Sequence, residues 1–236
     1  PREELVASLR GYAERHGAPA EVFANIDALL DPETHVVVTG QQPGLLGGPL
    51  FCLHKAATAI RLCREIERQG GPRCVPLFWN HSDDHDLDEG NRTFLINQSQ
   101  EVQRFRLDLT LHNESLRGVH VGREVERLLA EVAPLLPETE FHDALLRTLT
   151  PKHPDDTLAD LQARLMFETF GRHGLVMIEP RDMPESAFAP LEKWWSRAGE
   201  IREQVKQTCD DLHDLGVDIT LDPSATMMFA MNGGRR

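Results

Sequence analysis

Three runs of this 236-residue chain gather residue types able to do chemistry. The first is Gly40-Gln41-Gln42-Pro43-Gly44-Leu45-Leu46-Gly47-Gly48-Pro49. Its glycines let a backbone approach a ligand, and a helix opening just after them can offer N–H groups to phosphate or carboxylate oxygens. The pattern is neither GxGxxG nor GxxxxGK[ST], so the dinucleotide and P-loop fingerprints are absent. Two adjacent glutamines between glycines are poor structural filler and suit the orientation of a substrate. The second run is His54-Lys55, expected in the first turn of that helix. A lysine there opposes the helix dipole by ~0.3–1 kcal/mol unless an anion offsets it, which points to an anionic ligand such as a nucleotide phosphate.

The third run is His81-Ser82-Asp83-Asp84-His85-Asp86-Leu87-Asp88-Glu89, with five acids and two histidines in nine residues. Such crowding can hold a divalent ion, ribose hydroxyls or a substrate amine, and it raises carboxylate pKa values as general acid–base work requires. Asp84, His85 and Asp86 allow a hard-cation site without demanding one. The histidine spacing in a loop without cysteine partners is not a zinc motif. Trp79-Asn80, at the end of the strand leading into this run, join Gly40, Gln41, Gln42, Gly44, Gly47 and Gly48 as substrate-binding candidates. A structural glycine turn, a solvated lysine and a solvated acidic loop are the competing readings of the three runs.

The elements that must position these residues are legible from periodicity. Leu5, Leu9, Tyr12 and Ala13 mark one helix ended by Gly17, and a second follows Pro19. His35–Thr39 and Cys74–Trp79 read as buried strands, with a helix over 51–69 between them. Strand, glycine loop, helix and strand make one βαβ unit. Strands 91–97 and 102–109 suit a hairpin beside the sheet. Helices are expected over 122–136, 139–148 and 157–172, then a short buried strand over 175–178. A long amphipathic helix is predicted over 185–215, and a last strand-like piece over 217–231. The class is α/β with an open, mainly parallel sheet. Residues 1–30 form an N-terminal helical segment and 31–236 a Rossmann-like domain with an insertion of strands and helices at about 91–170.

Composition narrows the function. Apolar residues are 40% and charged residues 27%, an ordinary globular composition. No run approaches the ~20 apolar residues of a membrane span. The net charge of −13 argues against non-specific binding to nucleic acid or anionic membrane, leaving room for a local basic pocket. Four cysteines without a CxxC pair suit a reduced, cytoplasmic protein, and Cys52 and Cys63 read as core. The start at Pro1 and the end at Arg236 read as those of a fragment.

The runs TGQQPGLLGGPLFCLHKAATAIRLCREIERQ and VPLFWNHSDDHDLDEGN resemble the cysteine ligases of bacillithiol biosynthesis, the BshC family. Gly174–Pro180 and the stretch 157–170 are similar to later pieces of that family. Asp83 stands where a glutamate is usual. The resemblance implies a chain about twice this length, a C-terminal coiled coil and a homodimer. It also implies a ligase that joins cysteine to glucosaminyl malate, with ATP or ADP as the activating nucleotide. The same runs are distantly similar to the nucleotidyl-transferase folds of class I aminoacyl-tRNA synthetases and pantothenate synthetases, with Gly48–Lys55 at their histidine motif and the second histidine missing.

In the ligase reading, His54 and Lys55, with the Gly44–Gly48 amides, neutralise developing charge. Gln41 and Gln42 orient substrate, while Asp84, His85 and Asp86 hold an amine, a ribose or a divalent ion. Two further readings stay open: a nucleotide-binding or small-molecule-binding module without turnover, and a metal-dependent hydrolase built on the acidic loop. The absence of any lysine after Val217 motivates the module.

Overall fold

The computed structural model describes residues 2–84, 87–109 and 116–222. Helix α1 (Arg2–His16) buries Val6, Leu9, Tyr12, Ala13 and His16 along one face, with acids in its first turn and bases in its last, as the dipole favours. Gly17 follows with φ of +71° and lets the chain turn into α2 (Ala20–Ala28). Strand β1 (His35–Gln41) leads through the glycine loop into α3 (Phe51–Arg68), whose buried face is Cys52, Ala56, Ala59, Ile60 and Cys63. Strand β2 (Cys74–Asn80), the one-turn helix α4 (Leu87–Gly90), and the antiparallel hairpin β3 (Arg92–Ile96) and β4 (Val102–Arg106) follow. Helices α5 (Gly122–Val132), α6 (His142–Leu149) and α7 (Leu158–Phe170) precede strand β5 (Val176–Ile178). Helices α8 (Ala189–Ser196) and α9 (Ala198–Asp214) end the described chain.

The sheet is parallel and ordered β1-β2-β5, with Gly40 opposite Trp79 and Gln41 opposite Asn80. Strand β2 is central and buried throughout except at Trp79, whereas Val36 and Val38 of the edge strand β1 are exposed. Helices α1, α2 and α3 pack with the sheet in one apolar core, and a second core joins Leu45 of the glycine loop to α5, α6 and the hairpin side. Helix α7 belongs to both: Ala163, Met166 and Phe167 face the sheet core, and Leu158 and Leu161 face the other. Its start is fixed by a capping box in which Thr157 and Asp160 satisfy each other's backbone N–H groups.

The βαβ unit, the hairpin and the short strand after α7 stand where the sequence places them. The helix expected over 122–136 stops at Val132, because Pro134 turns the next residues into a 3₁₀ turn. The long helix expected over 185–215 is broken into a 3₁₀ turn over 185–188, α8 and α9, with Arg197 non-helical between the last two. Helix α8 buries no residue and α9 only Cys209, so no core packing holds the two in line. Residues 217–222 form no strand, and the rest of the piece expected over 217–231 lies outside the described residues.

Candidate functional site

Beyond the carboxyl ends of β1 and β2 lies an open cleft of about 510 Å³, lined by Val38, Thr39, Gly40, Gln41, Gln42, Trp79, His81 and Asp84. This is where an open parallel sheet presents ligands to its loops. The first and third sequence runs therefore meet here. Gly40 is required by close approach: a Cβ on it would sit 2.6 Å from the Trp79 carbonyl oxygen. The main chain of the next pair is tied across the strands, with His81 N–H donating to Gln41 O at 3.0 Å.

Lys55 reaches the same edge from α3. Its Nζ donates to Gly40 O at 3.2 Å and to Gln41 Oε1 at 2.8 Å, and it lies 5.2 Å from the centre of the Phe51 ring. Both acceptors are neutral oxygens of residues that line the cleft, so neither contact is an ion pair. His54 is exposed on the same helix. The helix opens at Phe51, which makes His54 and Lys55 its fourth and fifth residues, at the end of the first turn and just past it. Gln42 Nε2 donates to Glu89 Oε2 at 2.8 Å. Asp84 is half-buried and anchored by its carbonyl, which accepts from Leu116 N–H at 2.9 Å. His85 and Asp86 lie outside the described residues.

Gly44, Gly47 and Gly48 of the loop do not present open amides. Leu46, Gly47 and Gly48 take φ of +53°, +93° and +72° in succession, which curls the loop back on itself. Gly47 N–H then donates to Gly44 O, Gly48 N–H to Leu45 O, and Gly44 N–H to Gln162 Oε1. At the helix start Cys52, Leu53 and His54 N–H groups also find carbonyls within their own turn. Of the amides expected to neutralise ligand charge, those of Gly44, Gly47, Gly48, Cys52, Leu53 and His54 are already engaged within the protein. The three left-handed residues go with internal acceptors for the Gly44, Gly47 and Gly48 donors.

Asn80 sits beneath the cleft and not in its wall. It is fully buried, and its Nδ2 donates to Tyr12 Oη at 3.1 Å and to Ala159 O at 3.0 Å, while its Oδ1 accepts from Gln162 Nε2 at 3.2 Å. Through Gln162 this network holds Gly44, and so sets where the loop leaves β1. Next to it, Ser82 Oγ donates to Glu179 Oε2 at 2.7 Å, and Arg181 Nε lies 3.0 Å from the same oxygen. Burial pushes the Glu179 carboxyl above its ordinary range, with Ser82 and Arg181 opposing.

Among the described residues, His16, Asp160 and Glu179 form a group close enough to share a metal ion. Arg181 already stands at both carboxylates, 3.6 Å from Asp160 and 3.0 Å from Glu179, and serves there as the resident cation. Sequence periodicity placed Tyr12 in the apolar stripe of α1 without its hydroxyl contact, and it passed over His16, Gln162 and Glu179. Their signal was faint: a polar side chain occupying a core position of an apolar stripe.

Comparison with known proteins agrees with the resemblance seen in the sequence. The family described as "Bacillithiol biosynthesis BshC, N-terminal Rossmann-like domain" matches residues 1–236. A protein of Geobacillus sp. (strain WCH70) is 33% identical over 244 residues, covering 100% of this chain and 45% of its own length. One of Koribacter versatilis (strain Ellin345) is 32% identical, covering 100% and 44%. One of Natranaerobius thermophilus is 31% identical, covering 89% and 38%. All three carry the provisional name of cysteine ligase BshC. The chain belongs to the BshC family, of which it is similar to the Rossmann-like N-terminal domain, and it spans less than half the length of these relatives. No helix among the described residues is long and apolar enough to cross a membrane.

Proposed function

We propose that this chain supplies the sheet-edge site of a ligase that joins cysteine to glucosaminyl malate in bacillithiol biosynthesis. One observation carries the reading: the two runs that resemble the family most specifically come from different strands and line one cleft. Both substrates carry carboxylates, and Lys55 is a cation at that cleft whose protein acceptors are neutral. Lys55 meets a substrate carboxylate, and Gln41, held by Lys55, fixes its direction. Asp84 takes the ammonium of cysteine, with His85 and Asp86 adjoining it in sequence and His54 adjoining Lys55. Joining the two substrates forms a carbon–nitrogen bond with loss of water, so the departing oxygen gains from positive charge beside it.

Activation by ATP or ADP is part of what the resemblance implies. The glycine loop does not fit a phosphate cradle, because the N–H groups of Gly44, Gly47 and Gly48 already have acceptors. A nucleotide phosphate would have to be held by other residues. The test is thiol profiling of the source organism after deletion of the gene. The expected result is loss of bacillithiol with accumulation of glucosaminyl malate; unchanged bacillithiol without that accumulation would overturn the reading.

A further inference from the structure

A second concavity, of about 400 Å³, lies between the C-terminal end of α1, α6 and α7, and shares no lining residue with the cleft. Its charged lining is Arg147, Lys152, Arg164 and Arg172, against the single acid Glu168. That is an unusual concentration in a chain of net charge −13. Among the described residues no carboxylate pairs with Arg147, Lys152 or Arg172, and all three side chains stand at the exposed rim. The floor differs. Arg164 is 10% exposed at its side chain and is gripped by Asp156 through both terminal nitrogens. Asp156 also accepts the N–H groups of Lys152 and His153, so one carboxylate fixes both Arg164 and the backbone that carries Lys152.

Two buried nitrogens of this lining have no hydrogen-bond partner: Arg164 Nε and His16 Nε2. Arg164 Nε always carries a proton, and a buried donor left unmade is costly. His16 Nε2 lies 3.7 Å from Asp160 Oδ1, beyond hydrogen-bond range. Rim cations without a carboxylate partner call for an anion with several oxygens. Guanidinium forks match the oxygens of phosphate in pairs, and a cluster of three favours a tetrahedral group over a planar carboxylate.

We propose that the pocket between α1, α6 and α7 binds a small phosphate-bearing molecule, with Arg147, Lys152 and Arg172 gripping the phosphate over the fixed Arg164. The volume suits a small metabolite, within the ~300–1,000 Å³ usual for such sites. The binding is independent of the ligase reading, since it needs none of the cleft residues.

Calorimetric titration of the chain with pyrophosphate tests it, beside malonate as a dicarboxylate of comparable size. The variant is Arg147→Glu with Arg172→Glu, both exposed, and its thermal melt checks that the fold is kept. Lys55→Ala serves to place the site. The expected result is pyrophosphate binding that weakens with salt, falls at least ~10-fold (~1.4 kcal/mol) in the double variant and is unchanged in Lys55→Ala. Malonate should bind more weakly. The proposal is overturned by no binding to the unaltered chain, by equal binding to a folded double variant, by loss in Lys55→Ala, or by malonate binding as tightly.

Discussion

Lys55 donates to two neutral oxygens on an exposed edge, so its removal breaks no ion pair of the fold. Lys55→Ala should therefore shift stability by no more than about 1 kcal/mol, measured by chemical denaturation. A larger loss would show that the ammonium holds the loop and is not reserved for a ligand. His16 responds to pH instead. Burial holds its pKa down at about 4 against an ordinary 6.5, with Asp160 opposing. The unfolded chain then binds the proton first as pH falls. Stability from this residue is complete above pH 6.5 and is lost toward pH 4. The loss is on the order of 3 kcal/mol. Glu179, raised by burial, works in the opposite sense over an overlapping range, so the comparison must be with a variant. His16→Leu should flatten the fall in melting temperature between pH 7 and pH 5; an unchanged fall would assign it to other groups. Cys52 and Cys63 are buried with pKa pushed up to about 11, so native alkylation should be slow and become fast only on unfolding.

At the scale of elements, α7 matters most, because it closes both cores and carries Gln162 into the space under the glycine loop. Gln162→Leu would leave Gly44 N–H and Asn80 Oδ1 without partners, at ~1–3 kcal/mol for each buried group. A total loss of about 2–5 kcal/mol by denaturation is expected; near-neutrality would mean that the loop repacks freely. Gly40→Ala drives a Cβ against the Trp79 backbone and should separate the ends of β1 and β2. Strands β1, β2 and β5 were legible as short apolar runs, and α3 as a helical stripe closed by Gly70 and Gly71. The curl of the glycine loop was not, because a left-handed Leu46 leaves no local signal. Nor was the break at Arg197, since α8 and α9 show helical periodicity on either side of it but lack a core to join them.

For the whole molecule, the sequence showed the sheet edge but not what lies under or behind it. Gly40, Gln41, Gln42, Trp79 and Asp84 come together because parallel strands in register bring their loops to one side, which follows from the βαβ order alone. Tyr12, Asn80 and Gln162 meet across separations of 68 and 82 residues, and the basic pocket draws on α1, α6 and α7. No local pattern reports such contacts. On the proposed function, the cleft beyond β1 and β2 is where cysteine is joined. The most direct test is complementation of the gene deletion by the intact gene and by its Lys55→Ala allele, with bacillithiol and glucosaminyl malate quantified in each strain and protein level checked. The intact gene should restore bacillithiol, and a normally abundant Lys55→Ala protein should leave it at least ~10-fold lower with glucosaminyl malate accumulated, as for loss of one charged contact of ~1.4 kcal/mol or more. Full restoration by Lys55→Ala would contradict the assignment of this cleft.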